Sequence, residues 1–209
     1  MGIWEEDCYK ISGAGVLVVE DYFHRDGTII PCILVGKNKA AQTLNDFGGA
    51  HAVYHESIAY TAHSELLEES CGLIDVDPSL IVDLPHVTIG GSRDTHYRAY
   101  ILKAEGVASK HYDTNRKILA REGAKKQWLE TESIHHIPIE NIDFDTLTER
   151  GAVLLADIHG GEIKCEMRLR KILFEAKDVV NDVVLEDAFI DRNDLHVEGG
   201  KYRFKRLKG

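Results

Sequence analysis

Few of the features that make a protein's chemistry obvious occur in this 209-residue chain. Its four cysteines, Cys8, Cys32, Cys71 and Cys165, lie far apart and form no CxxC pair. That argues against a disulfide framework or a cysteine-rich zinc site and fits a reducing, cytoplasmic setting. No apolar run approaches the roughly 20 residues needed to span a bilayer. The opening residues, MGIWEEDCYK, are acidic and lack the apolar core of a secretory signal. Gly2 is not followed by a Ser or Thr where N-myristoylation expects one. Basic residues are outnumbered, 25 against 35 acidic, for a formal charge of −10. Such a balance speaks against a general binder of duplex DNA or anionic membranes. HExxH is absent, and the adjacent His135 and His136 must face opposite ways if they lie on a strand. Gly13-Ala14-Gly15 lacks the third glycine of a dinucleotide fingerprint and leads into a strand rather than a helix. There is no internal repeat and no low-complexity linker.

What is present is enough for one globular domain over residues 1–209, since 44% of the chain is hydrophobic. The pattern predicts a buried strand over Gly13–Glu20 and an Asp-Gly turn within His24–Thr28. An antiparallel partner follows over Ile29–Gly36, with Pro31 near its start or on an edge. A short strand over Thr43–Ala50 leads into the glycine pair Gly48-Gly49. A helix is predicted over Ser57–Ser70, and strands over Leu80–Thr88 and Thr95–Ala104. Ser109–Gln127 is polar and basic, a helix or an insertion, and Trp128–Ile139 contains an extended piece. Asp145–Ile158 and Glu162–Asp182 read as helices around a turn at His159–Gly161. The remainder is irregular, with a hairpin around Gly199-Gly200. Strands around one central helix, with more helices at the end, define an α+β class with a mixed sheet. Its core spans about residues 11–142, and an extension follows over 143–209.

The central helix carries the chemistry. At about 100° per residue, Glu69 falls roughly 40° to one side of Glu65 and Glu68 roughly 60° to the other. Ala59, Ala62 and Leu66 form a separate inner stripe. Three carboxylates in one sector repel one another and raise each other's proton affinity. A hard divalent cation such as Mg²⁺ or Mn²⁺ reverses both penalties. Gly48 and Gly49 let the backbone come close to a metal or phosphate, Ser57 is placed to cap the helix, and Glu56 sits at its positive end. By itself, a glutamate-rich helix is more often an ordinary solvated face.

The stretch FGGAHAVYHESIAYTAHSELLEESCGL, Phe47 to Leu73, resembles the Nudix box, Gx5Ex7REUxEExGU with U aliphatic. Glu65-Leu66-Leu67-Glu68-Glu69 stands where the family has EUxEE, and Glu56 lies at the family's upstream spacing. The resemblance covers roughly Gly13 to Ile142. It implies an α/β/α sandwich with a loop-helix-loop box, and divalent metals held by Glu65, Glu68 and Glu69. Gly48, Gly49 and Glu56 would then be structural. The implied substrate is a nucleoside diphosphate linked to another group. Departures are Ser64 in place of the family arginine that braces the upstream glutamate, and one extra residue on each side, between Gly49 and Glu56 and between Glu69 and Gly72.

Within that resemblance Glu69 is the first choice for base or bridging ligand. Glu122, Glu130 and Glu132 are candidates for a further acidic residue, though each also reads as a surface charge. Arg93 and Arg98 are candidate phosphate binders near His96 and Tyr97, with ordinary strand-edge residues as the other reading. Lys110, Arg116, Lys117, Arg121, Lys125 and Lys126 form a basic insertion (110–126) that could steer RNA or a polyphosphate, or merely be solvated. The tail Lys201–Arg206 has similar character. Nudix-type hydrolysis, a nucleotide-sensing module without turnover, and cap or polyphosphate hydrolysis are the competing functions. A homodimer is the assembly that many family members adopt.

Overall fold

The computed structural model describes residues 3–6, 9–91, 94–105, 111–148, 150–185, 195–198 and 201–204. Strands β1 (Trp4–Glu6), β2 (Tyr9–Phe23), β3 (Ile29–Asn38), β4 (Leu44–Asn45) and β5 (Phe47–Ala50) precede helix α1 (Ile58–Glu69). Next come β6 (Ile74–Asp75), α2 (Pro78–Ile81), β7 (His86–Gly90), β8 (His96–Glu105), α3 (Tyr112–Arg121) and β9 (Thr131–Pro138). Then follow β10 (Val153–Ala156), β11 (Glu162–Cys165), α4 (Met167–Glu175), α5 (Lys177–Leu185), β12 (Leu195–Glu198) and β13 (Lys201–Phe204).

Strand β2 is the spine of a mixed sheet. One edge runs parallel to β8 from Ile11 to Asp21. The other edge is shared: Gly13–Val16 pair antiparallel with β5, and Val18–Phe23 pair antiparallel with β3. Among the described residues no strand pairs with the far edge of β5. Side chains alternate between two apolar layers, as a strand's period of two requires. Val16 and Val18 pack with Ile58, Ala59, Ala62 and Leu66 of α1. Leu17 and Val19 pack with Leu169, Ile172 and Leu173 of α4 and Val180 of α5. Helices therefore cover both faces, and the predicted α+β class and α/β/α layering hold. Among the described residues no helix is long and apolar enough to cross a membrane.

The first half follows its pattern closely, but three segments differ. The strand predicted from Leu80 begins only at His86, because Asp77-Pro78 opens a short helix: the Asp77 side chain accepts from Ser79 N, and proline suits the first turn. The helix predicted over Asp145–Ile158 is a single 3-10 turn, Thr146–Thr148, followed by β10. Strand β10 pairs antiparallel with β11, from Val153↔Cys165 to Ala156↔Glu162. Asp157 closes this hairpin by accepting from the N–H groups of His159 and Gly161, both at 2.9 Å. Local turn chemistry overrides the helical spacing. For the same reason the helix predicted from Glu162 starts later, at Met167, with Glu166 as its cap. Ser109–Gln127 contains α3 and the start of a 3-10 turn, Lys126–Leu129. The C-terminal hairpin is present as β12 and β13, while Gly199 and Gly200 lie outside the described residues.

Candidate active site

Helix α1 starts where Ser57 caps it, accepting from Tyr60 N at 3.0 Å. It ends as Ser70 N donates to Leu66 O and Gly72 N to Leu67 O. Gly72 has a φ of +72°, the left-handed conformation that glycine tolerates at a helix end. The stripe Ala59, Ala62 and Leu66 is buried against the sheet. That orientation turns Glu65, Glu68 and Glu69 toward β5, where with Glu130, Gly48 and Gly49 they line a recess of about 280 Å³.

The unpaired edge of β5 is completed by side chains from both helical layers. Gly48 N donates to Glu69 Oε2 at 2.7 Å, and Gly48 O accepts from Arg168 Nη2 at 2.8 Å. The Arg168 guanidinium also donates from Nε to Asp46 Oδ1 at 2.8 Å and lies over the Tyr97 ring, 4.7 Å from its centroid. Tyr97 donates to the other oxygen of Asp46 at 2.6 Å. The glycine pair is explained by crowding on opposite faces. A Cβ on Gly48 would overlap the Tyr97 hydroxyl, and one on Gly49 would overlap the Glu65 carboxylate.

Burial, then the nearby Glu68 charge, pushes Glu65 up to about 7, and Arg168 opposes the rise. Glu69 is pushed well above the usual carboxylate range by burial and then by Glu65, again against Arg168. Gln127 Nε2 donates to Glu68 Oε1 at 2.8 Å. Glu130 is exposed on the rim and adds to the upward pressure on Glu65.

The other predicted residues separate. Glu56 is exposed and takes no part in the recess. Arg98 is 2% exposed, on the α1 side of the sheet with Tyr100 and Leu102, rather than at a cleft border. Arg93 and Lys110 lie outside the described residues. Glu122 caps α3, and Glu132 accepts from Gln42 and pairs with Lys37 at 3.5 Å. Arg116 donates to the carbonyls of Thr131 and Leu129, while Lys117, Arg121, Lys125 and Lys126 are exposed. Cys71 is buried beside the recess with its thiol pushed up by burial, as suits a packing role. Sequence reasoning missed Arg168, Asp46 and Tyr97 acting as a unit. The only hint was negative: Ser64 leaves the box without its arginine, and α4 supplies a cation from the other layer.

The donor set suits a hard divalent cation: four carboxylates line the recess beside one imidazole, His55, whose Nδ1 is hydrogen-bonded to Thr61, and burial, then neighbouring carboxylates, raises the proton affinity of Glu65 and Glu69. Among the described residues, no three His, Cys, Asp or Glu side chains stand close enough together to grip one ion in their present positions. Glu65, Glu68, Glu69 and Glu130 are the residues that could hold one, and only after side-chain adjustment.

No family model and no curated protein matches the chain. Solved structures do resemble it. A mutT/nudix family protein from Listeria innocua is 15% identical over 83% of this chain and 95% of its own, with a TM-score of 0.42. A Nudix hydrolase from M. smegmatis is 12% identical over 87% and 96%, TM-score 0.39. A C. elegans Ap4A hydrolase is 14% identical over 46% and 67%, TM-score 0.33. At such identities and TM-scores, shared activity does not follow.

Proposed function

We propose that this chain is a Nudix-type pyrophosphohydrolase that uses Mg²⁺ or Mn²⁺. Its substrate is a nucleoside diphosphate derivative, with a nucleotide sugar of the ADP-ribose kind favoured. One observation carries this reading: Glu65, Glu68, Glu69 and Glu130 line a single recess at a glycine strand edge, where burial and mutual repulsion raise the proton affinity of two of them. When bound, the cation supplies the charge that offsets the phosphate oxygens and orients them. The chain's own residues do the rest. Gly48 N–H fixes one oxygen of Glu69. We assign the other oxygen of Glu69 to accept a proton from the attacking water or to bridge cations. Arg168 holds the strand edge and damps the repulsion between Glu65 and Glu69.

Arg168 also borders a second cavity, of about 810 Å³, shared with Ile89, His96, Tyr97, Met167 and Lys171. That volume accommodates a nucleoside-sized group. Apolar and aromatic walls suit a base, and the exposed Lys171 suits a phosphate, while Arg168 is engaged with Asp46 and Gly48. Hydrolysis of capped RNA is less well supported, since Arg116 of the basic insertion is engaged with backbone carbonyls.

A panel of nucleotide sugars, dinucleoside polyphosphates, nucleoside triphosphates and capped RNA tests the reading. Nucleoside monophosphate should be released from a diphosphate-linked substrate only with Mg²⁺ or Mn²⁺, and Glu68→Gln should abolish release without unfolding the chain. The rival reading, a nucleotide-binding module without turnover, is favoured by the loose spacing of the carboxylates. Tight nucleotide binding with no product from any substrate would establish it.

A further inference from the structure

On the far edge of β9, away from the carboxylate recess, three side chains form a hydrogen-bonded line. Ser133 and His135 are two residues apart on one strand and so share a face. Ser133 Oγ lies 2.9 Å from His135 Nε2, and His135 Nδ1 lies 3.0 Å from Asp157 Oδ2. Asp157 is fixed by the β10–β11 turn, its other oxygen accepting from His159 N and Gly161 N. Burial works against its ionisation, but hydrogen bonds from Gly161, His135 and His159 hold its carboxyl below the usual range.

Chemistry then assigns the protons. An ionised carboxylate only accepts, so the neutral imidazole carries its hydrogen on Nδ1. Nε2 is left as an acceptor, and the Ser133 hydroxyl donates to it. This is a hydroxyl beside a base that is itself oriented by a carboxylate.

The three residues border a cavity of about 270 Å³, which Tyr22, Tyr112 and Ile134 also line. Ile158 N donates to His136 O at the outer edge of β9. Backbone groups two residues apart point to the same strand edge. The Ile134 amide, next after Ser133, is therefore directed to the edge where the cavity opens, as a donor to an oxyanion must be. Neither Lys nor Arg lines the cavity, whereas Asp113 and Asp157 do, which favours an uncharged substrate over a phosphate. Its volume is below that of pockets for drug-sized ligands.

We propose that Ser133, His135 and Asp157 form a second catalytic site that hydrolyses esters of small acyl groups, independently of the pyrophosphohydrolase reading. Ser133 Oγ bonds to the ester carbonyl carbon as its proton passes to His135 Nε2. The C–O bond to the alcohol breaks, and the alcohol leaves with that proton. Water then attacks the acyl-serine, giving a proton to His135. The acyl carbon–Oγ bond breaks, Ser133 Oγ takes this proton back from His135 Nε2, and a carboxylic acid is released.

The test uses the purified full chain with p-nitrophenyl acetate and a fluorophosphonate, read by p-nitrophenol release and by peptide mapping of the adduct. The proposal expects an adduct on Ser133 of the folded chain, none on the urea-unfolded chain, and hydrolysis at least about 100-fold slower in Ser133→Ala and His135→Gln. Absence of an adduct on Ser133 of the folded wild type overturns it, as does labelling confined to other residues. Undiminished labelling of Ser133 in a folded His135→Gln variant does so too. Should either variant fail to fold, the wild-type adduct alone decides.

Discussion

Glu69 and Arg168 meet across the backbone of one glycine, the carboxylate accepting from Gly48 N and the guanidinium donating to Gly48 O. A helix on each face of the sheet thereby grips the same unpaired strand edge. The acidic recess is tied through that edge to Asp46 and Tyr97 on the other side.

Removing the cation should loosen this arrangement. Asp46 has a fully buried side chain, and its pairing with Arg168 is only partly exposed on the arginine side. Arg168→Met strands that carboxylate with Tyr97 alone and is expected to cost about 3 kcal/mol in urea unfolding. Arg168→Lys should restore only part of the loss, since one ammonium lacks the fork that reaches both Asp46 and Gly48 O.

The two glycines should fail differently. Gly49→Ala meets the end of a flexible side chain, Glu65, which can swing aside. The fold should survive, while the proposed phosphohydrolase activity should drop about 100-fold because the Glu65 carboxylate proposed as a metal ligand is displaced. Gly48→Ala meets the Tyr97 hydroxyl and, at 2.6 Å, the Cα of Gly15. It should destabilise the chain by about 3 kcal/mol, from overpacking against backbone that cannot move away. Thermal melts beside activity measurements separate the two.

How much of this was readable in advance follows from which interactions are local. Helix α1 was legible with its cap, inner stripe and carboxylates, because Ser57, Ala62 and Glu65 act within a few turns of one another. The β2–β3 hairpin was legible from Asp26-Gly27. The β10–β11 hairpin was not, since Asp157 makes a turn out of residues that otherwise space like a helix. Arg168 was invisible because its partners Asp46 and Gly48 reach it only through the packing of α4 under the sheet. Arg98 shows the opposite failure: an arginine on a strand suggested phosphate, yet tertiary packing buries it at 2% exposure.

Stability should depend on pH with a definite sign. Glu65 moves from 4.5 to about 7 on folding, so the folded state binds its proton more tightly. Its contribution is complete below pH 4.5, falls as the pH rises, and is lost above 7. Glu69 acts in the same direction. Without divalent metal, the chain should be more stable at pH 5 than at pH 8, and Glu65→Gln should flatten that slope. Urea midpoints across the range check it.

Divalent cation should reverse the penalty at pH 8. At a hundredfold excess over its dissociation constant, Mg²⁺ or Mn²⁺ should add about 2.7 kcal/mol to the unfolding free energy. The gain should vanish in Glu65→Gln/Glu69→Gln, and an excess of EDTA should abolish it in the wild type. Differential scanning calorimetry reads both.

The most direct test is titration of the purified chain with Mn²⁺, followed by electron paramagnetic resonance with and without a nucleoside diphosphate. Loss of the free-ion signal in the wild type, and its full retention in a folded Glu65→Gln/Glu68→Gln/Glu69→Gln variant, is the expected result. Equal uptake by both chains, or no uptake by the wild type with nucleotide present, would contradict the assignment of these glutamates as the metal site.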